Sequence, residues 1–371
     1  MKKSLFIILI FLFSLPISSQ VFEESHVQDL VKKGTDHIYN SAPDSAEFYI
    51  SKAEKYIPDH PVIPLMRAMT ILWANIPIIP EELFLNMELQ LDSAVELARM
   101  QDPDFENPEM IFFAMASYGL LAEYYADQDY MMKAVGEANR AYGLMKKGFE
   151  IVDEYPEFLL TTGLYNYFRE KYPEKHPVYK PFLWFFRSGD MVLGLEQLKR
   201  ACEESFLTKV EAHVYLSYIY LRYEYKPKLA QQYLSALCKM YPNNYYAKAK
   251  YLESLANPED FKSVPIDVIY SLITHESPYY KLAGYVFLGY FEEKIVKNAE
   301  KAEYAYRLGL KYGQELPSHG EFFKSFGYLG LGRILVTTGR GEEAEEFLDL
   351  ALNYAETEQV EEEAKNLLSK L

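Results

Sequence analysis

The sequence predicts an all-α protein: an array of about eight stacked helical hairpins closed by a C-terminal capping helix. Three observations carry this. A spacing of small and large residues recurs along the 371-residue chain. Prolines stand where the second helix of a hairpin should end. No stretch shows the sustained alternation of apolar and polar residues, bounded by turn signals, that strands require.

The first hairpin, 23–60, is marked by Leu30, Gly34 and His37, then by Ala46, Ile50, Ala53 and Pro58. Two helices that cross closely need Gly or Ala at the crossing, while large residues fill the layer between units; one hairpin alone cannot bury its apolar face. The second, 61–103, carries Leu91, Val95, Ala98 and Pro103, and the third spans 108–155. The fourth, 156–205, opens at Pro156, places Gly163 eight positions in and continues with Gly194, Leu198 and Ala201. Ala230, Leu234, Leu237 and Pro242 mark the fifth, 207–242, and a sixth fills 244–274. The seventh, 279–314, reads Tyr285, Leu288 and Gly289, then Ala302, Tyr306 and Gly309 after a one-residue slip. The eighth, 321–356, gives Tyr328, Leu331, Gly332 and Leu335, then Ala344, Leu348 and Ala351. Beyond it, 358–371 sets Val360, Ala364, Leu367, Leu368 and Leu371 on one stripe and turns Glu361, Glu362, Glu363 and Lys365 outward, as a capping helix does.

The first residues have the order of a secretory signal peptide, expected over 1–19: Lys2 and Lys3, an apolar run from Leu5 to Phe13, a break at Ser14 and Pro16, then Ser18 and Ser19. The run falls short of the roughly 18 residues of a spanning helix. Cleavage would leave Gln20 first, with no cysteine to accept lipid, so a soluble exported protein of the periplasm or cell envelope is expected, its array covering 20–357. Such a chain would carry 36 basic against 54 acidic residues, a net charge of -18 instead of -16. That field opposes nucleic acids and anionic lipid surfaces as partners. Cys202 and Cys238 occupy equivalent places in successive units, at least one helix-packing distance of roughly 8 to 10 Å apart, and are expected to stay unpaired.

These signatures resemble the tetratricopeptide-repeat superfamily over nearly the whole chain after the leader. The resemblance implies a right-handed superhelix and a binding role. One stretch departs from plain repeats, from Gly163-Leu164-Tyr165 through Pro181-Phe182-Leu183-Trp184-Phe185-Phe186 to Gly189-Asp190 and Gly194-Leu195. Over about 45 residues it resembles the central block of a tetratricopeptide family that includes the eukaryotic inclusion-body clearance proteins. The leader and the Tyr-, Lys- and Glu-rich composition resemble exported proteins of Bacteroidetes-type bacteria.

No chemistry is legible. The seven histidines are scattered without metal-ligand spacing, Gly330-Leu331-Gly332 belongs to a helix signature rather than a nucleotide loop, and no nucleophile stands beside a base. No enzyme, metal or cofactor is expected. The positions assigned to a groove, among them Gln28, Val31 and Thr35 in the first unit, Ala212, Tyr215 and Ile219 in the fifth, and Phe326, Leu329 and Arg333 in the last, make that groove apolar and aromatic. The candidate binding residues are Tyr179, Phe182, Trp184, Phe185, Arg187, Asp190, Tyr215 and Arg333. Pro177 and Pro181 interrupt any helix, and the rings that follow are too dense for one buried stripe. Two functions are expected: a scaffold for a protein or peptide partner, or a receptor for a small ligand such as a glycan, lipid or cell-wall fragment.

Overall fold

The computed structural model describes residues 25–175, 177, 186–256, 258–316 and 318–371, and the expected leader lies outside them. Among the described residues all regular structure is helical. Hairpins pair α1 (Ser25–Tyr39) with α2 (Pro43–Glu54), α3 (Val62–Asn75) with α4 (Glu81–Gln101), and α5 (Pro108–Asp127) with α6 (Met131–Ile151). They continue with α7 (Leu159–Lys175) and α8 (Met191–Glu204), then α9 (Lys209–Arg222) and α10 (Pro227–Met240). The sixth is reduced: α11 (Tyr245–Ser254) returns through the short α12 (Pro258–Phe261) and α13 (Ile266–Ile273). Next come α14 (Pro278–Phe291) with α15 (Ala299–Gly313) and α16 (Glu321–Thr337) with α17 (Gly341–Asn353). The pairs fall at the spans that the residue spacing predicts. α18 (Glu358–Leu368) packs on α16 and α17 through buried Val360 and Ala364, while Leu371, placed on the same stripe, is exposed.

Local chemistry sets the helix starts. Asn107 accepts a hydrogen bond from the Glu109 amide, Asp190 from Val192 and Leu193, and Asn298 from Lys301, while Pro43, Pro108, Pro227 and Pro278 occupy first turns. Small residues sit at the crossings as expected. A Cβ on Gly194 would lie 2.7 Å from the Tyr167 backbone nitrogen, and one on Gly332 would collide with Leu348.

The one-residue slip of the seventh hairpin has a structural cause. α14 runs into a π-helical turn, Glu292–Val296, which takes up the extra residue before α15 begins. The Tyr306 ring then slots between Gly289 and Gly330, and its hydroxyl donates to Glu293 Oε2 at 2.7 Å.

The array curls until early units touch late ones. The Tyr39 hydroxyl donates to Glu211 Oε1 at 2.5 Å, Asn244 Nδ2 to the Tyr39 carbonyl at 3.0 Å, and the Tyr241 hydroxyl to Asp36 Oδ1 at 3.0 Å. Further along, the Tyr280 hydroxyl donates to the Ile76 carbonyl and that of Tyr215 to Glu123 Oε2, both at 2.7 Å. Trp73 stands edge-on to Tyr39 at 4.9 Å and to Tyr246 at 6.4 Å. This corrects the groove: Val31, Ala212, Ile219, Phe326 and Leu329 are buried by the chain itself. One buried core runs from Val27 to Ala247 and a second from Ala249 to Ala364, meeting within α11.

Cys202 is buried, Cys238 partly so, and neither is paired. Burial pushes both thiols up to about 12, so they are inert near neutrality.

Candidate binding surface

Four of the eight candidate residues, Tyr179, Phe182, Trp184 and Phe185, lie outside the described residues. The end of their segment is described. Phe186 meets Tyr142 of α6 at 5.2 Å, and the Arg187 guanidinium lies 4.3 Å over the Phe149 ring. The Tyr165 hydroxyl of α7 donates to the Arg187 carbonyl at 2.5 Å, and its ring stacks on Tyr142 at 5.5 Å. Gly189 follows because only glycine fits: a Cβ there would sit 2.5 Å from the Asn166 carbonyl oxygen. The segment thus ends wedged between α6 and α7, the junction where a second helix makes its sparsest contact with the next unit.

The remaining three candidates are spent on internal contacts. Asp190 caps α8, and Tyr215 is tied to Glu123. Arg333, placed in the groove by register, is buried and paired with Glu293 at 2.8 Å and Glu363 at 3.3 Å. Burial alone would raise the Glu293 carboxyl, yet Arg333 and Lys294 hold it at about 2. Arg333 therefore ties the seventh, eighth and capping elements together.

What reaches solvent instead is the outer face of α4 and α6. In consecutive hairpins these two helices have 21 residues each, but α4 buries six and α6 only Ala134 and Gly148. Leu85 and Leu89, one turn apart on α4, and Met132 on α6 are exposed, Met132 at 87%. Gly136 and Gly143 on α6 have open space where a side chain would stand.

Between the apolar residues runs a charged seam floored by tyrosines of α5. Glu88 accepts from the Tyr125 hydroxyl and faces Lys133 at 4.0 Å, and Lys133 lies 4.7 Å over the Tyr125 ring. Glu137 pairs with Arg140, whose guanidinium is 5.7 Å above Tyr118. Partial burial, and then the charges of Glu88, Glu137 and Glu96, push the Asp92 carboxyl up from its ordinary value. Four acids therefore crowd one seam against two bases.

Sequence spacing does not reveal this surface. The third hairpin has no clear small-large-small signature, and that weakness is one trace in the sequence. The run of Met132, Gly136, Asn139 and Gly143 along one side of α6 could have marked it, since beyond Met132 that side carries no large apolar residue to bury.

Fold and surface together define the class, an all-α array of helical hairpins with an apolar and acidic outer face. No family model matches the chain, and no curated protein matches it.

Proposed function

We propose that this chain is an exported scaffold of the tetratricopeptide type, a right-handed superhelix that binds a protein partner in the cell envelope through the α4–α6 face. The observation that carries the reading is that exposed apolar side chains and unopposed glycines gather on this face, while the inner side is occupied by the chain's own contacts. Exposed Met and Leu beside open backbone give an adaptable floor for a helix. The partner segment is assigned by charge: Glu88, Asp92, Glu96 and Glu137 outnumber Lys133 and Arg140, in a chain of net charge -16. A helix with apolar residues at i and i+4 flanked by Lys or Arg fits both properties. The leader-like order of Lys2, Lys3, the apolar run Leu5 to Phe13 and Ser18–Ser19 supports the exported part of the reading.

The small-ligand reading has less support. One pocket among the described residues, beside Val214, Ser217, Tyr218 and Lys250, measures about 10 Å³, room for one water. Ligand sites of drug size need several hundred Å³.

The test uses fluorescence anisotropy with a labelled 18-residue amphipathic helix of Leu and Lys, its all-Lys scramble, and a Leu and Glu counterpart. Tight binding of the first alone, weakened at least tenfold by Leu89→Glu or Met132→Glu in a protein of unchanged circular dichroism, is the expected result. Equal binding by the variants would remove this face from the function, and preference for the Glu peptide would overturn the assigned partner chemistry.

A further inference from the structure

The joint that closes the array is thin. No helix of the first hairpin packs broadly on α9, α10 or α11. Between the first hairpin and α9–α11 the joint consists of the Tyr39 contacts, the Tyr241 to Asp36 bond, and the Asn243 amide donating to Asn40 Oδ1 at 2.9 Å; the Tyr280 to Ile76 and Tyr215 to Glu123 bonds tie the second and third hairpins to later units separately. A joint of this size can be decided by one charge.

Glu211 stands at its centre, half-buried as a residue but with its carboxylate oxygen Oε2 sealed from solvent. Its Oε1 takes the Tyr39 hydroxyl, while Oε2 has the Trp73 indole N–H beside it, too poorly aligned for a full hydrogen bond. Every element packed around Glu211 presents an acid or a neutral donor. Tyr39 comes from α1, Trp73 from α3, Glu157 from the turn before α7, and Tyr241 from the α10–α11 connection with Asp36 behind it; Tyr215 lies one turn on along α9. None of the groups acting most strongly on Glu211 is a cation. Glu157 differs, because the Leu207 and Thr208 amides donate to its Oε2 at 3.1 Å each, and that of Phe206 donates to Oε1. Burial raises both carboxyls; at Glu157 three backbone amides and the Thr208 hydroxyl oppose it, whereas at Glu211 the opposing donors are the Tyr39 hydroxyl across the joint, the Trp73 indole and its own amide.

We propose that the Tyr39–Glu211 joint is a proton-controlled latch: protonated Glu211 holds the first hairpin closed on the fifth, and its ionisation parts them, uncovering Tyr39 and the Trp73 edge packed against it. The latch is independent of the α4–α6 face, which lies on the second and third hairpins.

The sign follows from burial, which pushes the Glu211 carboxyl up to about 7 from an ordinary value near 4.5. A group raised in the closed state favours closure fully below 4.5 and withdraws that support as pH rises through about 7. One neighbouring contact acts in the same direction: desolvation raises the Glu123 carboxyl, which accepts from the Tyr215 hydroxyl. From Glu211 alone, the closing constant should fall by on the order of 50- to 100-fold between pH 5 and pH 8.5.

Trp73 is the reporter. The chain has two tryptophans, so in a Trp184→Phe background its emission is read alone, beside small-angle scattering and far-ultraviolet circular dichroism. Expected are a red shift and a larger radius of gyration with a midpoint near pH 7 and unchanged helicity. Glu211→Gln should remain closed at pH 8.5. Hydrogen exchange in the unmutated chain, corrected for intrinsic rate, supplies an arm free of folding defects: segments 36–41 and 241–244 should lose protection above pH 7 while α16 keeps it. Spectra and protection unchanged from pH 5 to 8.5, or a Glu211→Gln protein that opens like the unmutated chain, would overturn the latch.

Discussion

The third and the last hairpins use the same residue types to opposite ends. Gly119, Gly136 and Gly143 in the third have nothing within 4 Å of where a Cβ would stand, whereas Gly327, Gly330 and Gly332 in the last are each pressed by a neighbouring side chain. Arg140 in the third is an exposed partner of Glu137, but Arg333 in the last is a buried partner of Glu293. A glycine or an arginine in a repeat array thus reports on packing only together with the large residues around it. Where Leu331, Leu335 and Leu348 surround the glycine it is a crossing; where Met132 and Asn139 do, it is surface.

The strongest way to break the comparison is to exchange the arginines' fates. Arg333→Ala should leave Glu293 buried and unpaired and cost about 3–5 kcal/mol in urea unfolding, against less than about 1 kcal/mol for Arg140→Ala. Equal losses would show that the two environments do not differ as described. Acid should attack the same place. Glu293 is held at about 2, so its support is complete above an ordinary carboxyl value of 4.5 and is lost as pH falls through about 2. Stability should drop by on the order of 3 kcal/mol over that range, and hydrogen exchange should find the last hairpin opening before the third.

Smaller effects sharpen the contrast. Gly332→Leu should overpack against Leu348 and cost roughly 1–3 kcal/mol or more. Gly136→Ala and Gly143→Ala, placed in open helical positions, should each stabilise by about 0.5–1 kcal/mol, raising the melting temperature. A loss at either would mean that α6 is packed rather than bare.

Most of the fold is legible in the sequence because its determinant is local. Leu30, Gly34 and Ala46, or Gly332, Ala344 and Leu348, write the crossing of two helices within one 35-residue stretch. The closure of the array is not written that way. Tyr39 meeting Glu211, or Tyr280 meeting Ile76, joins residues more than 160 positions apart, and no spacing rule reaches across that distance. For the same reason Arg333 is placed in a groove by register, although a buried acid awaits it from the seventh hairpin. The α4–α6 face is illegible for another reason: it is defined by residues that do not pack, and periodicity records only those that do. Of the aromatic segment, Phe186 and Arg187 are wedged against α6, and Tyr179, Phe182, Trp184 and Phe185 lie outside the described residues.

Tyr306, slotted between two glycines contributed by different hairpins, works as an alignment pin. Helical residues advance by about 100° each, so deleting one residue from Glu292–Val296 without relaxation would swing the ring out of both notches at once. The seventh and eighth hairpins therefore inherit their relative angle from a single phenol and the two missing side chains that admit it. Any drift in the length of that turn has to be answered at positions 289 and 330 together.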